Sequence, residues 1–224
     1  MALPNRLINP GVPNLPLGTD QYERRYQDQF TNILRLYFNQ LRNTLSELLS
    51  NTGGRYIGFP HISASSSENQ YATGNDTPTK ISWNTLETIE GFTLDPTGYA
   101  SNEFAGVYRI EYGLQLANTD NAIHYATVWL RVNSTDVPLS AVKFSLPARK
   151  SALEPFELLA FSSIVFPVNA GDKIELWWAT EQAATSGGGA GIYLEAEAAS
   201  SSPYIRPSIP SAIGSITFVS ALPA

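Results

Sequence analysis

Apolar and polar residues change their period along the chain near residue 79. Between residues 21 and 49, large apolar residues recur at spacings of four and three, as on one face of an α-helix. From residue 79 onward, apolar and polar residues alternate, which is the period of a half-buried β-strand. The pattern predicts a mainly β protein with an extended N-terminal arm, one long α-helix and a C-terminal antiparallel jelly-roll sandwich.

The helical segment, residues 20–51, carries start and stop signals. Asp20 can cap it with Glu23 as reciprocal partner, and Asn51–Gly54 can end it. Its apolar stripe keeps the heptad period over nearly three heptads, which favours self-association as a coiled-coil stalk. The alternative is that the stripe lies across the β domain. The seam positions are Phe30, Leu34, Tyr37, Leu41, Thr44 and Leu48.

Residues 1–19 form a proline-rich arm, with prolines at positions 4, 10, 13 and 16. Proline at this density favours an extended path without internal hydrogen bonds. The segment is too apolar for an ordinary disordered tail. A floppy terminus is one interpretation; the other is an anchoring arm that docks its apolar residues in a partner's groove. Those residues are Leu3, Leu7, Ile8, Val12 and Leu15.

Nine segments after residue 78 alternate as strands and are separated by Gly, Pro and Asn turns. We expect them to build the jelly roll over residues 79–224. Residues 52–78 are rich in Ser, Asn and Gly, and we interpret them as a linker. The predicted strands are Lys80–Asn84, Thr88–Leu94, Gly106–Ala117, Ile123–Val132, Leu139–Leu146, Phe156–Pro167, Asp172–Thr180, Gly191–Ala198 and Ser211–Ser220.

Two adjacent tryptophans stand in the stretch ELWWAT. Neighbouring residues of a strand point to opposite faces, so Trp178 shares the face of Leu176, whereas Trp177 shares that of Glu175. Trp129 lies likewise on the outward face of its strand. We predict Trp178 in the core, and Trp129 and Trp177 at a subunit interface, where aromatic residues are enriched.

Five segments of the C-terminal half resemble, in order, virion proteins of tailed bacteriophages. They are GVYRIEYGLQLANTD, IHYATVWLRVNSTDVPLS, FPVNAGDKIELWWAT, GIYLEAEA and RPSIPSAIGSITFV, and the stretch YQDQFTNILRLYFNQL resembles the N-terminal part of such proteins. Those proteins carry a trimeric jelly-roll head similar to the tumour-necrosis-factor and complement globular heads. The chain departs from them at Asn133-Ser134-Thr135, where an Asn-Gly turn is usual. The resemblance implies a homotrimer on a virus particle, as a fibre, a knob or a capsid decoration, and implies no chemistry.

Composition narrows the classes of partner. The net charge is −6, and binding to nucleic acid needs a basic face, so we expect no such partner. The chain has no cysteine, which excludes disulfides and thiolate metal sites. No run approaches the ~18 apolar residues of a membrane span, and the N-terminus lacks the apolar core of a signal peptide. We expect a soluble protein that is not exported by the usual route.

Candidate catalytic groups are few. His61 and His124 are the only histidines, and neither stands in a nucleophile motif. Glu195 and Glu197 share a strand face, and Glu154 lies near Glu157, but such pairs are most often the solvated face of a strand. The glycine-rich stretch 186–189 lacks the Lys-Ser/Thr that follows in a phosphate loop. We predict no catalytic residue, no metal ligand and no cofactor.

These observations favour a non-enzymatic structural protein of a phage particle, localised to the virion. The arm would contact other capsid or tail proteins, and the jelly roll would be displayed. One alternative is a carbohydrate-binding adhesin whose exposed aromatic residues stack on a host-surface glycan. The other is a glycan-degrading enzyme, which would need two carboxylates across a cleft.

Overall fold

The computed structural model describes residues 10–18, 21–48, 59–95, 97–152 and 154–222. The chain divides into two compact units, Met1–Gly58 and Phe59–Ala224. The first holds the arm and the helix, and the second holds the whole β-sandwich. No helix in the described ranges combines the length and apolarity needed to cross a bilayer.

Helix α1 spans Arg24–Leu48, inside the predicted bounds. The seam side chains from Phe30 to Thr44 are half-buried and the opposite face is exposed, so the amphipathic pattern is present as predicted. The side chain of Leu48 lies outside the described part, as do the proposed cap Asp20 and the stop signal at 51–54. The stalk assignment stays a prediction.

The described part of the arm has one half-buried side and one exposed side, which we call its open edge. Its described prolines, 10, 13 and 16, are half-buried and follow the three-residue repeat of polyproline II. The hydroxyl of Tyr26 donates to the carbonyl of Pro16 (3.4 Å), which ties the end of the arm to the helix. On the open edge, Val12 is 95% and Leu15 41% exposed. The other anchoring candidates, Leu3, Leu7 and Ile8, lie outside the described residues.

Two antiparallel sheets form the second unit, each with a few long strands and several short ones. The strands are β1 His61–Ser66, β2 Gln70–Tyr71, β3 Thr79–Lys80, β4 Thr85–Glu90, β5 Phe92–Leu94, β6 Ala100–Asn102, β7 Gly106–Asn118, β8 His124–Val132, β9 Thr135–Asp136, β10 Val142–Leu146, β11 Phe156–Val168, β12 Lys173–Thr180, β13 Ile192–Leu194 and β14 Ala212–Ser220.

The strand order is that of a jelly roll. The first sheet runs β2-β13-β7-β14-β1-β4, with β11 on the other side of β7. The second sheet runs β10-β8-β12-β6-β5, with β3 beside β12 and β9 beside β8. Four strands of each sheet thus face each other, β11-β7-β14-β1 against β10-β8-β12-β6, which is the order of the double Greek key. The predicted fold class is confirmed.

The core lies between the inward faces of the two sheets. One cluster surrounds Tyr112 and Trp178, and the other surrounds Tyr108, Phe92 and neighbouring aliphatic residues. Trp178 is fully buried, as its alternation with Leu176 predicts. Burial of side chains this large contributes roughly 1.5–3 kcal/mol each or more, so the sandwich has its own source of stability.

The structure differs from the predicted linker at residues 52–78. Strand β1, His61–Ser66, pairs with both β14 and β4, and β2 pairs with β13. Ile62, Ala64 and Ser66 are buried at alternate positions of β1. The stretch resembles a linker in composition because its inward residues are small, yet it is an interior strand. The second unit begins at Phe59 instead of residue 79.

Four other predicted strands are shorter or broken. Of the predicted strand Lys80–Asn84, only Lys80 lies in a strand, at the end of β3. The predicted strand 88–94 falls in β4 and β5, which are separated at Gly91, whose φ of 62° is left-handed. Strand β10 begins at Val142 instead of the predicted Leu139, because the chain forms a turn at Ser140. The hydroxyl of Ser140 donates to the carbonyl of Val137 (2.8 Å) in this turn. Strand β13 covers only Ile192–Leu194 of the predicted 191–198.

Candidate functional site

The outward face of the first sheet carries exposed apolar side chains on two strands. On β11, Leu159, Phe161 and Val165 are 60%, 61% and 55% exposed. On β14, Ile213 and Val219 are each 50% exposed. We call these five residues the apolar face. Large apolar side chains exposed together on one sheet face indicate an interaction site.

Strand register brings the two halves of this face together across β7. Phe161 and Ile213 both pair with Gly113, so the residue between them has no side chain to separate them. Leu159 reaches over the glycine, and a Cβ at position 113 would lie 3.6 Å from its Cδ1. One row further on, the hydroxyl of Ser163 donates to Glu111 (3.2 Å). The face is therefore apolar at one end, with a hydrogen-bonded polar row within it.

The sequence prediction did not include this face, although β11 carries the signal. Its stretch FELLAFSSIVFPV has large apolar residues at both odd and even positions. A strand that is apolar on both sides is covered on both sides. The inward side of β11 packs in the sandwich, and its outward side is covered by nothing within the described chain.

Trp129 and Trp177 lie on the outward face of the second sheet, directly opposite each other in the register of β8 and β12. Both are half-buried. The indole N–H of Trp129 donates to Asp136 (2.6 Å), and that of Trp177 donates to Glu175 (3.0 Å). The Arg131 guanidinium lies 3.9 Å from the ring centroid of Trp177.

Charged side chains of the same subunit therefore accept both indole N–H groups and cover one ring of the tryptophan pair. Arg131 also donates to Asp136 (2.8 Å), and Lys80 pairs with Glu175 (3.3 Å). Hydrogen bonds from Arg131 and Trp129 hold the pKa of Asp136 below its usual range. The outward position of Trp177 is thus accounted for by its neighbours, and a role for Trp129 or Trp177 between subunits stays a prediction.

A pocket lies at the end of the first sheet, beside the short strands β2 and β13. Tyr71 and Tyr193 are paired in register, and their rings stack with centroids 5.4 Å apart and planes at 11°. The pocket has a volume of about 190 Å³ and is closed on its other side by Thr119 and the loop 184–189. The hydroxyl of Tyr193 donates to Glu195 (2.6 Å).

Three glutamates next to this pocket form an acidic group. Burial raises the pKa of Glu195, and the charges of Glu157 and Glu197 raise it further. Burial, followed by the bond to Glu195, raises the pKa of Tyr193 as well. Glu197 forms an ion pair with Arg206. The cavity among the three carboxylates measures about 10 Å³, room for roughly one water molecule, so a sugar ring and an attacking water do not fit between them.

The two histidines are occupied by other partners. His124 lies between carboxylates, with Nε2 2.7 Å from Asp120 and Nδ1 3.3 Å from Glu181, and it holds the pKa of Asp120 low. His61 lies 2.9 Å from the carbonyl of Phe59 and 3.1 Å from the hydroxyl of Thr88, on the outward surface of β1. The described residues contain no cluster of three or more side chains able to hold a metal ion.

Comparisons with known proteins find similarity at the level of structure. No protein-family model matches the chain, and no curated protein matches it. A structure of Eiger TNF from S. frugiperda superposes with a TM-score of 0.46 at 13% identity, covering 75% of this chain and 97% of that one. The globular domain of zebrafish complement 1qA superposes with a TM-score of 0.42 at 13% identity, covering 73% and 99%. The assignment to the jelly roll rests on the strand order given above.

Proposed function

We propose that this protein is a non-enzymatic structural protein that assembles as a homotrimer through the apolar face of its jelly roll. The observation that carries the proposal is the open position of Leu159, Phe161, Val165, Ile213 and Val219 on one side of a sheet whose other side is the core. Within the described chain no segment covers these residues. A second copy of the same sheet region offers them matching apolar surface.

The free energy gained by burying the apolar face can be compared with the free-energy cost of association. Each Leu, Phe or Val that becomes fully buried contributes about 1.5–3 kcal/mol, and those of the apolar face are already about half-covered. Association costs an estimated 4–15 kcal/mol in lost motional freedom. One face alone offsets only part of this cost. The seam of α1 supplies a second apolar surface, and a parallel arrangement of helices brings the two surfaces together in one assembly.

The sequence resemblance to phage heads is what favours three copies and a place on a virion. In that arrangement α1 forms the stalk, the jelly roll is displayed, and the open edge of the arm at Val12 and Leu15 contacts a capsid or tail protein. The three carboxylates Glu157, Glu195 and Glu197 leave room for roughly one water molecule between them, which fits a structural role. Neither nucleic acid nor a membrane is a partner in this proposal.

Sedimentation of the full chain tests the assembly. We expect a mass about three times the 24.4 kDa of one chain. Phe161→Asp places a charge in the apolar face and should weaken the trimer by tenfold or more, because a buried unpaired carboxylate costs several kcal/mol. Leu139→Asp is the matched control, since Leu139 is fully exposed and lies outside the face. A monomer for the parent chain, or equal weakening by both variants, would refute the proposal.

Virion placement needs a separate measurement. Antibody labelling of purified particles, or a protein inventory of fractionated heads and tails, should detect the chain at a copy number divisible by three. Its absence from particles would remove the virion part of the proposal and leave the trimer standing.

A further inference from the structure

The pocket between the tyrosine pair and the loop 184–189 combines an aromatic wall with backbone groups that make no hydrogen bond within the described chain. Tyr71 and Tyr193 form one wall as a stacked pair. The opposite wall is the loop, together with Thr119. Both walls come from the same chain, so the pocket exists in one subunit, whatever the assembly.

The aromatic wall suits the C–H face of a ring. Each ring of the stacked pair covers one face of the other, and the pair leaves an outer ring face and ring edges as apolar surface. Tyr193 is fixed by its bond to Glu195 and by its strand partner Ala117, and Tyr71 is fixed against Tyr193. The wall is therefore preorganised, which lowers the entropy cost of binding a ligand against it.

The loop wall supplies hydrogen-bonding groups. Gly188 and Gly189 donate their amides back to Thr185 (both 3.0 Å), which closes the loop as a tight turn. Ser186, which lines the pocket at the tip of the loop, makes no hydrogen bond within the described chain, so its amide, carbonyl and hydroxyl remain for a ligand. The glycines keep the wall low: a Cβ at position 188 would meet nothing within 4 Å, and its φ of 96° disfavours other residues.

Charge and size limit the ligand. No lysine or arginine lines the pocket, and the carboxylates of Glu157 and Glu195 lie next to Tyr193, so an anionic ligand is disfavoured. A volume of about 190 Å³ is below the ~300–1,000 Å³ typical of sites for drug-sized ligands. It has room for one small ring, open to solvent where a chain could continue.

We propose that this pocket binds one neutral saccharide ring, with its C–H face against the surface that the stacked tyrosine pair leaves open and its hydroxyls on the tip of the loop 184–189. A saccharide carries hydroxyl donors and acceptors around an apolar ring face, which is the combination that the two walls present. The tryptophan pair on the other sheet is held by charged neighbours instead, because Arg131 lies over Trp177 and both indole N–H groups donate to carboxylates.

The experiment is saturation-transfer NMR on the full chain with single sugars: glucose, galactose, mannose and N-acetylglucosamine, and N-acetylneuraminic acid as the anionic comparison. Binding of one ring through a few contacts corresponds to a Kd of about 1 mM, so each sugar is supplied at roughly 10 mM. We expect a signal from at least one neutral sugar and none from the anionic sugar.

Four variants locate the binding. Tyr71→Ala removes the aromatic wall and should lower affinity at least tenfold, whereas Tyr71→Phe keeps the stacking and the binding. Ser186→Trp fills the mouth of the pocket from an exposed loop position, which leaves the fold intact even where Tyr71→Ala fails to fold. Tyr204→Ala is the matched control, because Tyr204 is exposed and does not line the pocket.

The outcomes separate cleanly. Loss of the signal with Ser186→Trp and its retention with Tyr204→Ala support the site. No signal from any neutral sugar, a signal that survives Ser186→Trp, or preference for N-acetylneuraminic acid overturns it. None of these results bears on the sedimentation test of the trimer, since neither Tyr71 nor Ser186 belongs to the apolar face.

Discussion

At the scale of single residues, the hairpin between β8 and β9 turns through two left-handed residues. Asn133 and Ser134 have φ of 50° and 67°, the geometry of a type I′ turn. Asn133 suits its position, because its side chain bonds both Asp172 (2.6 Å) and the amide of Lys173 (2.9 Å). Ser134 makes no hydrogen bond in the described chain, so nothing offsets its backbone strain.

Ser134→Gly should therefore stabilise the protein. A non-glycine residue in this conformation costs about 1–2 kcal/mol, and the extra freedom of glycine in the unfolded chain removes roughly 0.4–1 kcal/mol of the gain. The net gain of about 0.5–1 kcal/mol corresponds to a melting temperature about 2–4 °C higher. Calorimetry measures it. Ser145→Gly, in strand β10, is the control and should lower the melting temperature; a fall for both would contradict the argument.

Two adjacent tryptophans, Trp177 and Trp178, show which structural features the pattern of residues along a strand can predict. Alternation alone places Trp178 inside, because its face also carries Leu176. The same alternation places Trp177 outside beside Glu175, two residues earlier on the same strand, but it cannot supply Arg131 as a partner. The contact with Arg131 depends on the register of β8 against β12, which is set by the whole sheet. Side-chain orientation along a strand was predictable, and contacts between strands were not.

At the scale of elements, the bounds of long strands were predicted to within a residue or two, as for β7 and β11. Strand β1 was not, since its inward Ala64 and Ser66 give no apolar signal and its place between β4 and β14 comes from pairings distant in sequence. The apolar face and the tyrosine pocket were not predicted for the same reason. Both combine residues from strands that the chain brings together only in the finished sheet.

Strand β13 and its surroundings also carry a pH dependence that can be tested. Burial and the charges of Glu157 and Glu197 raise the pKa of Glu195 in the folded protein. A carboxyl with a raised folded pKa favours folding most below its ordinary pKa, and this contribution is lost as pH rises through the folded value. Ionised Glu195 is therefore a net cost at neutral pH.

Glu195→Gln should raise the melting temperature at pH 7 to 8, because an amide oxygen can still accept the Tyr193 hydroxyl without carrying charge. The gain should shrink toward zero as the pH falls to about 4, near the ordinary carboxyl pKa. Melting curves across this range provide the measurement. Glu197→Gln, which breaks the ion pair with Arg206, should show no gain at pH 7. A gain for Glu195→Gln that persists unchanged at pH 4 would exclude the electrostatic explanation.

At the scale of the whole molecule, the two units divide the tasks of folding and assembly. Every residue of the two core clusters lies between Ile62 and Phe218, and every strand pairing is made within the second unit. The seam of α1 and the apolar face are in different units. Their contributions to assembly can therefore be separated by cutting the chain between them.

A fragment of residues 59–224 should fold on its own and melt in a single cooperative transition, because it keeps the whole core. The fragment should still associate, because the apolar face remains. Its assembly should dissociate at a higher protein concentration than that of the full chain, because the helix seam is gone. Sedimentation over a range of concentrations measures both species. Adding Phe161→Asp to the fragment should then give a monomer with an unchanged circular dichroism spectrum. If the fragment without this change is already monomeric at every concentration, the helix alone drives assembly, and the apolar face must be covered by another protein.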